Sequence, residues 1–203
     1  MAHRLSILRR LGLASVVWLC AALPTSSAHA DELRFGNTWF GQVEGYASLF
    51  GGIGDRSMEG TAFGGSLKAG YRWDSWGVFL TIENSAWVTP ATGESPSAPA
   101  QPAQVRPGAL NIGVGGELIY ARRYLRSALA IGPSILLYDD GNDSAGTTGI
   151  YVDLRMVGIR WPIKQWLVVM LDPVSFSLVA PVLTGIPLAL FQFRTAITTE
   201  FRW

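Results

Sequence analysis

The sequence predicts an all-β fold: an eight-stranded antiparallel up-and-down barrel that crosses a membrane. Three observations predict it. Apolar and polar residues alternate with period two over runs longer than ten residues. The connections between such runs alternate between long and short without exception. Aromatic residues gather near the ends of the runs.

The first thirty residues stand apart. Arg4, Arg9 and Arg10 precede an apolar run from Leu11 to Leu23, Pro24 breaks it, and Ala28-His29-Ala30 places small residues at a cleavage position. Charged, apolar and small segments in that order read as a secretory signal peptide over 1–30. The apolar run is too short for a membrane helix, which needs about 20 residues. Arg9-Arg10 faintly resembles a twin-arginine signal. A barrel crosses the inner membrane unfolded, which favours the Sec route. Val17-Trp18-Leu19 before Cys20 lacks the small residue of a lipoprotein box. Cleavage after Ala30 leaves 173 residues, 31–203, which suits one barrel domain.

That mature segment has lost three arginines, so its formal net charge falls from +1 to −2. No nucleic-acid partner is suggested. The chain's two histidines, His3 and His29, and its one cysteine, Cys20, all precede residue 31. The mature segment therefore has no disulfide, no thiol and no imidazole.

The strands are expected at roughly 42–50, 60–73, 77–88, 108–120, 124–138, 147–161, 166–180 and 188–203. In the second, Phe63, Leu67, Ala69, Tyr71 and Trp73 alternate with Ser66, Lys68 and Arg72. In the seventh, Asp172-Pro173 interrupts the phase, because proline cannot donate a ladder hydrogen bond and is tolerated at a bulge. One extra residue there keeps Leu167, Val169 and Leu171 on one face with Val174, Phe176 and Leu178. The uncharged stretch from Pro173 to Phe193 contains Pro173, Pro181 and Pro187, so it reads as two strands and a turn rather than a helix. In the eighth, Phe191, Phe193, Thr195, Ile197, Thr199, Phe201 and Trp203 form one face. Gln192, Arg194, Ala196, Thr198, Glu200 and Arg202 form the other.

Short gaps fall at 74–76, 121–123 and 162–165, and longer ones at 51–59, 89–107, 139–146 and 181–187. A barrel with both termini on the inner side has four outer loops and three inner turns in this order. The gap at 89–107 holds Pro90, Pro96, Pro99, Pro102 and Pro107 and reads as an outer loop. Two aromatic belts are expected. Tyr71, Trp73, Trp76, Tyr120, Tyr124, Trp161, Trp166 and Trp203 would lie at the short-turn end, and Phe50, Phe63, Trp87, Tyr138, Tyr151 and Phe176 at the long-loop end.

The terminal Phe201-Arg202-Trp203, with aromatic positions Phe201 and Trp203, resembles the C-terminal assembly signal of bacterial outer-membrane barrels. With the signal peptide and the strand count, the mature chain resembles the small, eight-stranded outer-membrane barrel class, without pointing to a named subfamily. The resemblance implies a Gram-negative outer-membrane location and handling by the barrel-assembly machinery. It also implies surroundings of outer-membrane lipid and lipopolysaccharide. A soluble periplasmic barrel of lipocalin type is the runner-up, with apolar residues inside and charges outside.

Enzymes built on small outer-membrane barrels rely on histidine, and the mature segment has none, so no catalytic residues and no cofactor are expected. Asp139-Asp140-Gly141-Asn142-Asp143 lacks the acidic twelfth position of a calcium loop, so no metal site is expected. Gly113-Val114-Gly115-Gly116 reads as close packing within a strand. Parity places Glu44, Lys68, Arg72, Glu83, Glu117, Arg126, Asp153, Arg155, Asp172, Arg194 and Glu200 on the inward face. Five are basic and six acidic. A selective pore favours one sign, so a mixed set reads as an internal plug. The expected role is structural or interactive, with any envelope or surface partner met by the outer loops. The alternative is a narrow, porin-like conduit, or a binder for small or hydrophobic molecules. Two-residue turns at Ser75-Trp76 and Ile163-Lys164 would set Lys68 against Glu83 and Arg155 against Asp172. Glu117 would face Arg126 or be its diagonal neighbour.

The signal reading has a direct check. N-terminal sequencing of protein extracted from the membrane should begin Asp31-Glu32-Leu33, and an intact Met1 on that form would refute cleavage.

Overall fold

The structure, a computed structural model, describes residues 37–53, 59–89, 103–137, 145–183 and 188–203. The expected signal segment with Ala28 and Ala30, most of the Pro-rich gap, Tyr138 and the aspartates of 139–143 lie outside the described residues.

Eight strands follow in order: β1 (Thr38–Ile53), β2 (Glu59–Trp73), β3 (Trp76–Thr89), β4 (Gln104–Tyr120), β5 (Leu125–Leu136), β6 (Thr148–Lys164), β7 (Leu167–Val182) and β8 (Leu188–Arg202). Each pairs antiparallel with the next, and β8 pairs with β1, closing the barrel. Closure satisfies backbone donors and acceptors within the sheet and leaves no edge strand. Several strands run past the alternating segments expected for them, whereas β5 falls inside its own. β1 starts at Thr38 and β6 reaches Lys164, because ladder pairing continues wherever a neighbour is present, whatever the side-chain pattern.

Two of the short turns sit elsewhere than expected. Trp73 pairs with Trp76, so the first turn is Asp74-Ser75. Lys164 pairs with Leu167, so the third is Gln165-Trp166. The middle turn spans residues 121–124 between Tyr120 and Leu125, with Ala121, Arg122 and Arg123 all in the left-handed region. Period-two alternation specifies which face a residue occupies but leaves the pairing register open by two residues, so turn position was the least constrained feature.

Side-chain phase follows the pleat. Even residues of β1, β2, β5 and β8, odd residues of β3 and, from Ala109 on, odd residues of β4 face in, while their neighbours face out; before Ala109 the phase of β4 is reversed, with Val105 and Pro107 exposed, across the register shift at Asn84/Ala86. β7 changes phase at Asp172-Pro173. Val168, Met170 and Asp172 are buried before it, Ser175 and Ser177 after it, and the ladder to β8 shifts register between Asp172 and Ser175. β6 changes phase too. Asp153 and Arg155 point inward, then Gly158 and Arg160 do, across register shifts at Arg155/Val157 and Val157/Ile159. The Phe79 ring lies against Gly115, where an added Cβ would stand 2.5 Å from it.

The exterior is apolar. Leu49, Leu67, Leu80, Val114, Leu129, Ile131 and Ile197 are all more than half exposed. At the short-turn end the aromatic belt is present. Trp39, Tyr71, Trp73 and Trp76 stack edge to face and face to face, and Trp166 lies over Phe201. The long-loop belt needs correcting. Phe50, Trp87 and Tyr151 are buried in the lumen, on the same parity as Glu44, Glu83 and Asp153. Phe63 and Phe176 remain outside, and Phe176 packs with Phe191 and Phe193. Phe50 and Trp87 instead join Leu136, Val179, Leu188 and Leu190 in an apolar layer inside the long-loop end.

Candidate functional site

The lumen is where the chemistry lies. All eleven residues assigned to the inward face are buried there, and Arg160 and Arg202 join them. Seven cations and six carboxylates are thus buried there among the described residues. Such charges are stable in a low-dielectric interior only when paired and hydrogen-bonded. They pair in three tiers.

Nearest the apolar layer, Glu83 on β3 is the hub. Arg194 on β8 donates from Nη1 and Nη2 to its two oxygens, each at 2.8 Å. Tyr46 donates at 3.2 Å, Tyr151 at 2.9 Å and Asn111 at 2.9 Å to the same carboxylate. The Arg194 guanidinium also lies 4.3 Å from the Tyr46 ring centroid, a favourable stacking for a desolvated cation. Gly64 makes room for Tyr46, since a Cβ there would stand 2.3 Å from the phenol.

The middle tier joins β1, β2, β5, β6, β7 and β8. Glu44 accepts from Lys68 Nζ at 3.0 Å, from Arg155 Nη2 at 2.7 Å and from the Thr198 hydroxyl at 2.9 Å. Arg155 reaches Asp153 from Nε and Asp172 from Nη1, both at 2.8 Å. Arg126 forks onto Asp172 with Nε at 3.2 Å and Nη2 at 2.5 Å. Gly158 is required here, because a Cβ would come 2.0 Å from the Asp172 carboxylate.

At the short-turn end, Arg72 holds two carboxylates. Nε donates to Glu117 at 2.9 Å, and Nη1 and Nη2 donate to Glu200 at 2.9 and 2.7 Å. Glu200 also takes Gln42 at 2.8 Å, Arg202 Nε at 2.6 Å and Arg160 Nη2 at 3.4 Å.

Of the expected cross-strand pairs, Lys68 with Glu83 is corrected, Arg155 with Asp172 forms off the expected register, and Glu117 with Arg126 is diagonal as one of the two expected registers has it. Lys68 stands opposite Thr81, and Glu83 opposite Ser66. Lys68 bonds Glu44 and Glu83 bonds Arg194, so Lys68 and Glu83 form no ion pair. Arg155 stands opposite Ser175 yet reaches Asp172. Glu117 is diagonal to Arg126 and 3.9 Å from it, while Arg126 is closest to Asp172. The physical reason is the same throughout. In a narrow closed barrel a long side chain meets strands across the lumen as readily as its ladder neighbour, so register alone does not choose its partner.

Several contributors were not among the eleven charges expected in the lumen, although the sequence places Gln192, Thr198 and Arg202 on the face of Arg194 and Glu200. Gln42, Tyr46, Asn111, Gln192, Thr198 and Arg202 share the inward parity of their strands and were legible by it. Arg160 was not, because the shifts in β6 reverse the phase before it. Among the described residues no group of acidic, histidine or cysteine side chains could hold a metal ion.

No family model matches the sequence, and no curated protein matches it. Among solved structures, the chain is similar to Neisserial surface protein A (NspA), with a TM-score of 0.48 and 10% identity over 80% of this chain and 97% of that one. It is similar also to Ail, the attachment invasion locus protein of Yersinia pestis, with a TM-score of 0.47 and 13% identity over 82% and 99%. Ail in complex with the heparin analogue sucrose octasulfate gives a TM-score of 0.44 and 12% identity over 82% and 99%. Likenesses at this level say nothing about what this chain binds or does.

The pairing pattern is testable by double-mutant cycles in urea unfolding from lipid vesicles. Arg194→Met leaves Glu83 buried without its cation and should cost about 3–5 kcal/mol. The Glu83/Arg194 cycle should show coupling above about 1 kcal/mol, and the Lys68/Glu83 cycle below about 0.5 kcal/mol. Equal coupling in both would contradict the network.

Proposed function

We infer that the chain is a bacterial outer-membrane barrel, formed by residues 31–203 after removal of a signal peptide. In this reading it is a non-enzymatic structural or interaction protein with its lumen closed by ion pairs. The observation that carries the reading is the inverted distribution of polarity. Thirteen charged side chains are buried inside, while leucine, isoleucine, valine and aromatic side chains cover the outside. A barrel dissolved in water has the opposite arrangement, which argues against the lipocalin-type alternative. Lipid is the solvent such an exterior fits, and aromatic rings at the short-turn end suit the headgroup level.

The lumen side chains bond mainly to one another, in alternating sign. That supports a plug rather than a pore, which would present one sign of charge to a continuous water path. With the lumen so occupied, contact with lipid, lipopolysaccharide or an envelope partner falls to the exterior and the outer loops. The lack of histidine and cysteine in 31–203 supports the absence of hydrolase or acyltransferase activity. A second reading has one observation in its favour. The layer of Phe50, Trp87, Leu136, Val179 and Leu190 inside the long-loop end is apolar, as the mouth of a binder for small hydrophobic molecules would be. Quenching of Trp87 fluorescence by a hydrophobic probe, absent in Trp87→Phe, would favour it.

Leu67, mid-strand and 62% exposed, tests the membrane reading. Leu67→Arg should lower stability in bilayers by about 2–4 kcal/mol; a neutral or solubilising effect would reject it. Planar-bilayer recording tests the plug. The unmutated barrel should show no large steady conductance, whereas Arg194→Ala with Glu83→Ala should raise it. Large steady current through the unmutated barrel would refute closure.

A further inference from the structure

The outer surface of the barrel is not evenly covered. Near the short-turn end, β1 to β4 leave an apolar groove of about 480 Å³, within the range of roughly 300–1,000 Å³ typical of small-molecule sites. Strand register explains it. One outward row across the four strands is Gly41, Ala69, Leu80 and Val114, and the next is Trp39, Tyr71, Val78 and Gly116. Ala69 is exposed and forms the floor. Trp39, Tyr71 and Trp73 stand on the β1–β2 side, and Leu80 and Val114 on the β3–β4 side.

The aromatic wall is braced ring by ring. Tyr71 meets Trp39 and Trp73 edge to face, with centroids 5.0 and 4.8 Å apart, and Trp73 stacks on Trp76 at 4.4 Å. These rings suit the headgroup level. Leu80 lies four residues beyond Trp76 on β3, about 13 Å along the strand. The groove thus runs from the headgroup level into the apolar exterior, as an acyl chain does.

The head of the groove is polar. Asp74 follows Trp73, and Arg123 donates to it at 2.8 Å from the β4–β5 turn. Arg122 in that turn is exposed, and the Arg123 side chain is 32% exposed. Apolar length with guanidiniums at one end fits an amphiphile whose head is anionic, and arginine forks a phosphate well. A second copy of the chain fits less well. A two-fold axis along the membrane normal would bring Arg122 and Arg123 against their own counterparts.

We propose that this groove is a phospholipid site, with one acyl chain lying over Ala69 and the phosphate at the Arg122-Arg123 turn. The proposal rests on the membrane reading, which places the short turns in the periplasmic leaflet.

The experiment titrates detergent-purified barrel with dipalmitoyl phosphatidylglycerol, or with dipalmitoylglycerol, and counts bound lipid by native mass spectrometry. The expected result is one saturable phosphatidylglycerol per barrel, bound at least tenfold more weakly by Ala69→Leu, which fills the floor. Gly45→Leu is the control. It adds the same side chain to the outer face of β1, where a Cβ meets nothing within 4 Å, and should bind as the unmutated barrel does. Dipalmitoylglycerol should bind several-fold more weakly, and Arg122→Gln/Arg123→Gln should erase that difference. Binding that never saturates, equal loss in Ala69→Leu and Gly45→Leu, or equal binding of the two lipids overturns the proposal. So does a dimer that Ala69→Leu dissociates, because a second copy then covers the groove. Solubility separates the two failures. A barrel that stays in solution without detergent sinks the membrane reading, whereas a detergent-requiring barrel with no saturable lipid sinks the site alone.

Discussion

Arg155 ties the lumen together. Its guanidinium touches Glu44 on β1, Asp153 on β6 and Asp172 on β7, so three separate strands are held through one buried cation. Glu44 passes the connection to Lys68 on β2 and Thr198 on β8, and Asp172 passes it to Arg126 on β5. Buried ions of this kind are costly singly and tolerable together. The network therefore specifies which strands face one another across the lumen, over and above what the backbone ladders specify around its wall.

Space for that network comes from places where the backbone gives way. Gly158 lies under Asp172 and Arg126, and Gly64 under Tyr46. The bulge at Asp172-Pro173 turns Asp172 and Ser175 to the same side although three positions separate them. In β6 the register shifts between Arg155 and Ile159 bring Arg160 inward after Arg155. A strictly regular pleat would have sent one of those two arginines into the apolar exterior. Irregularity in β6 and β7 is thus the means by which the lumen acquires Arg160 beside Glu200.

The two ends of the lumen differ in chemistry. The long-loop end is lined by Phe50, Trp87, Leu136, Val179 and Leu190, and the short-turn end by Arg72, Arg160 and Arg202 around Glu117 and Glu200. The apolar layer thus lies at one end of the ion-pair tiers, and the arginine-rich tier at the other, where β1 begins and β8 ends. Polarity along the axis follows from strand direction: residues near the starts of odd strands and the ends of even strands gather at one mouth.

Much of this was legible in the sequence. Period-two alternation in β2 and β8 specified which residues face in, and the alternation of short and long gaps specified the order and closure of eight strands. Pro173 beside Asp172 announced the bulge. The same parity also placed Phe50, Trp87 and Tyr151 inside, and proximity to strand ends misled their assignment to a belt. What tertiary structure alone decided was partnership: Glu83 with Arg194 rather than Lys68, Glu44 with Arg155, and Arg160 in the lumen at all. The physical reason is that alternation is a local property of one strand. Which charge meets which depends on pairing register, on bulges that reset the phase, and on distances across a closed lumen, none of which a single strand's sequence encodes.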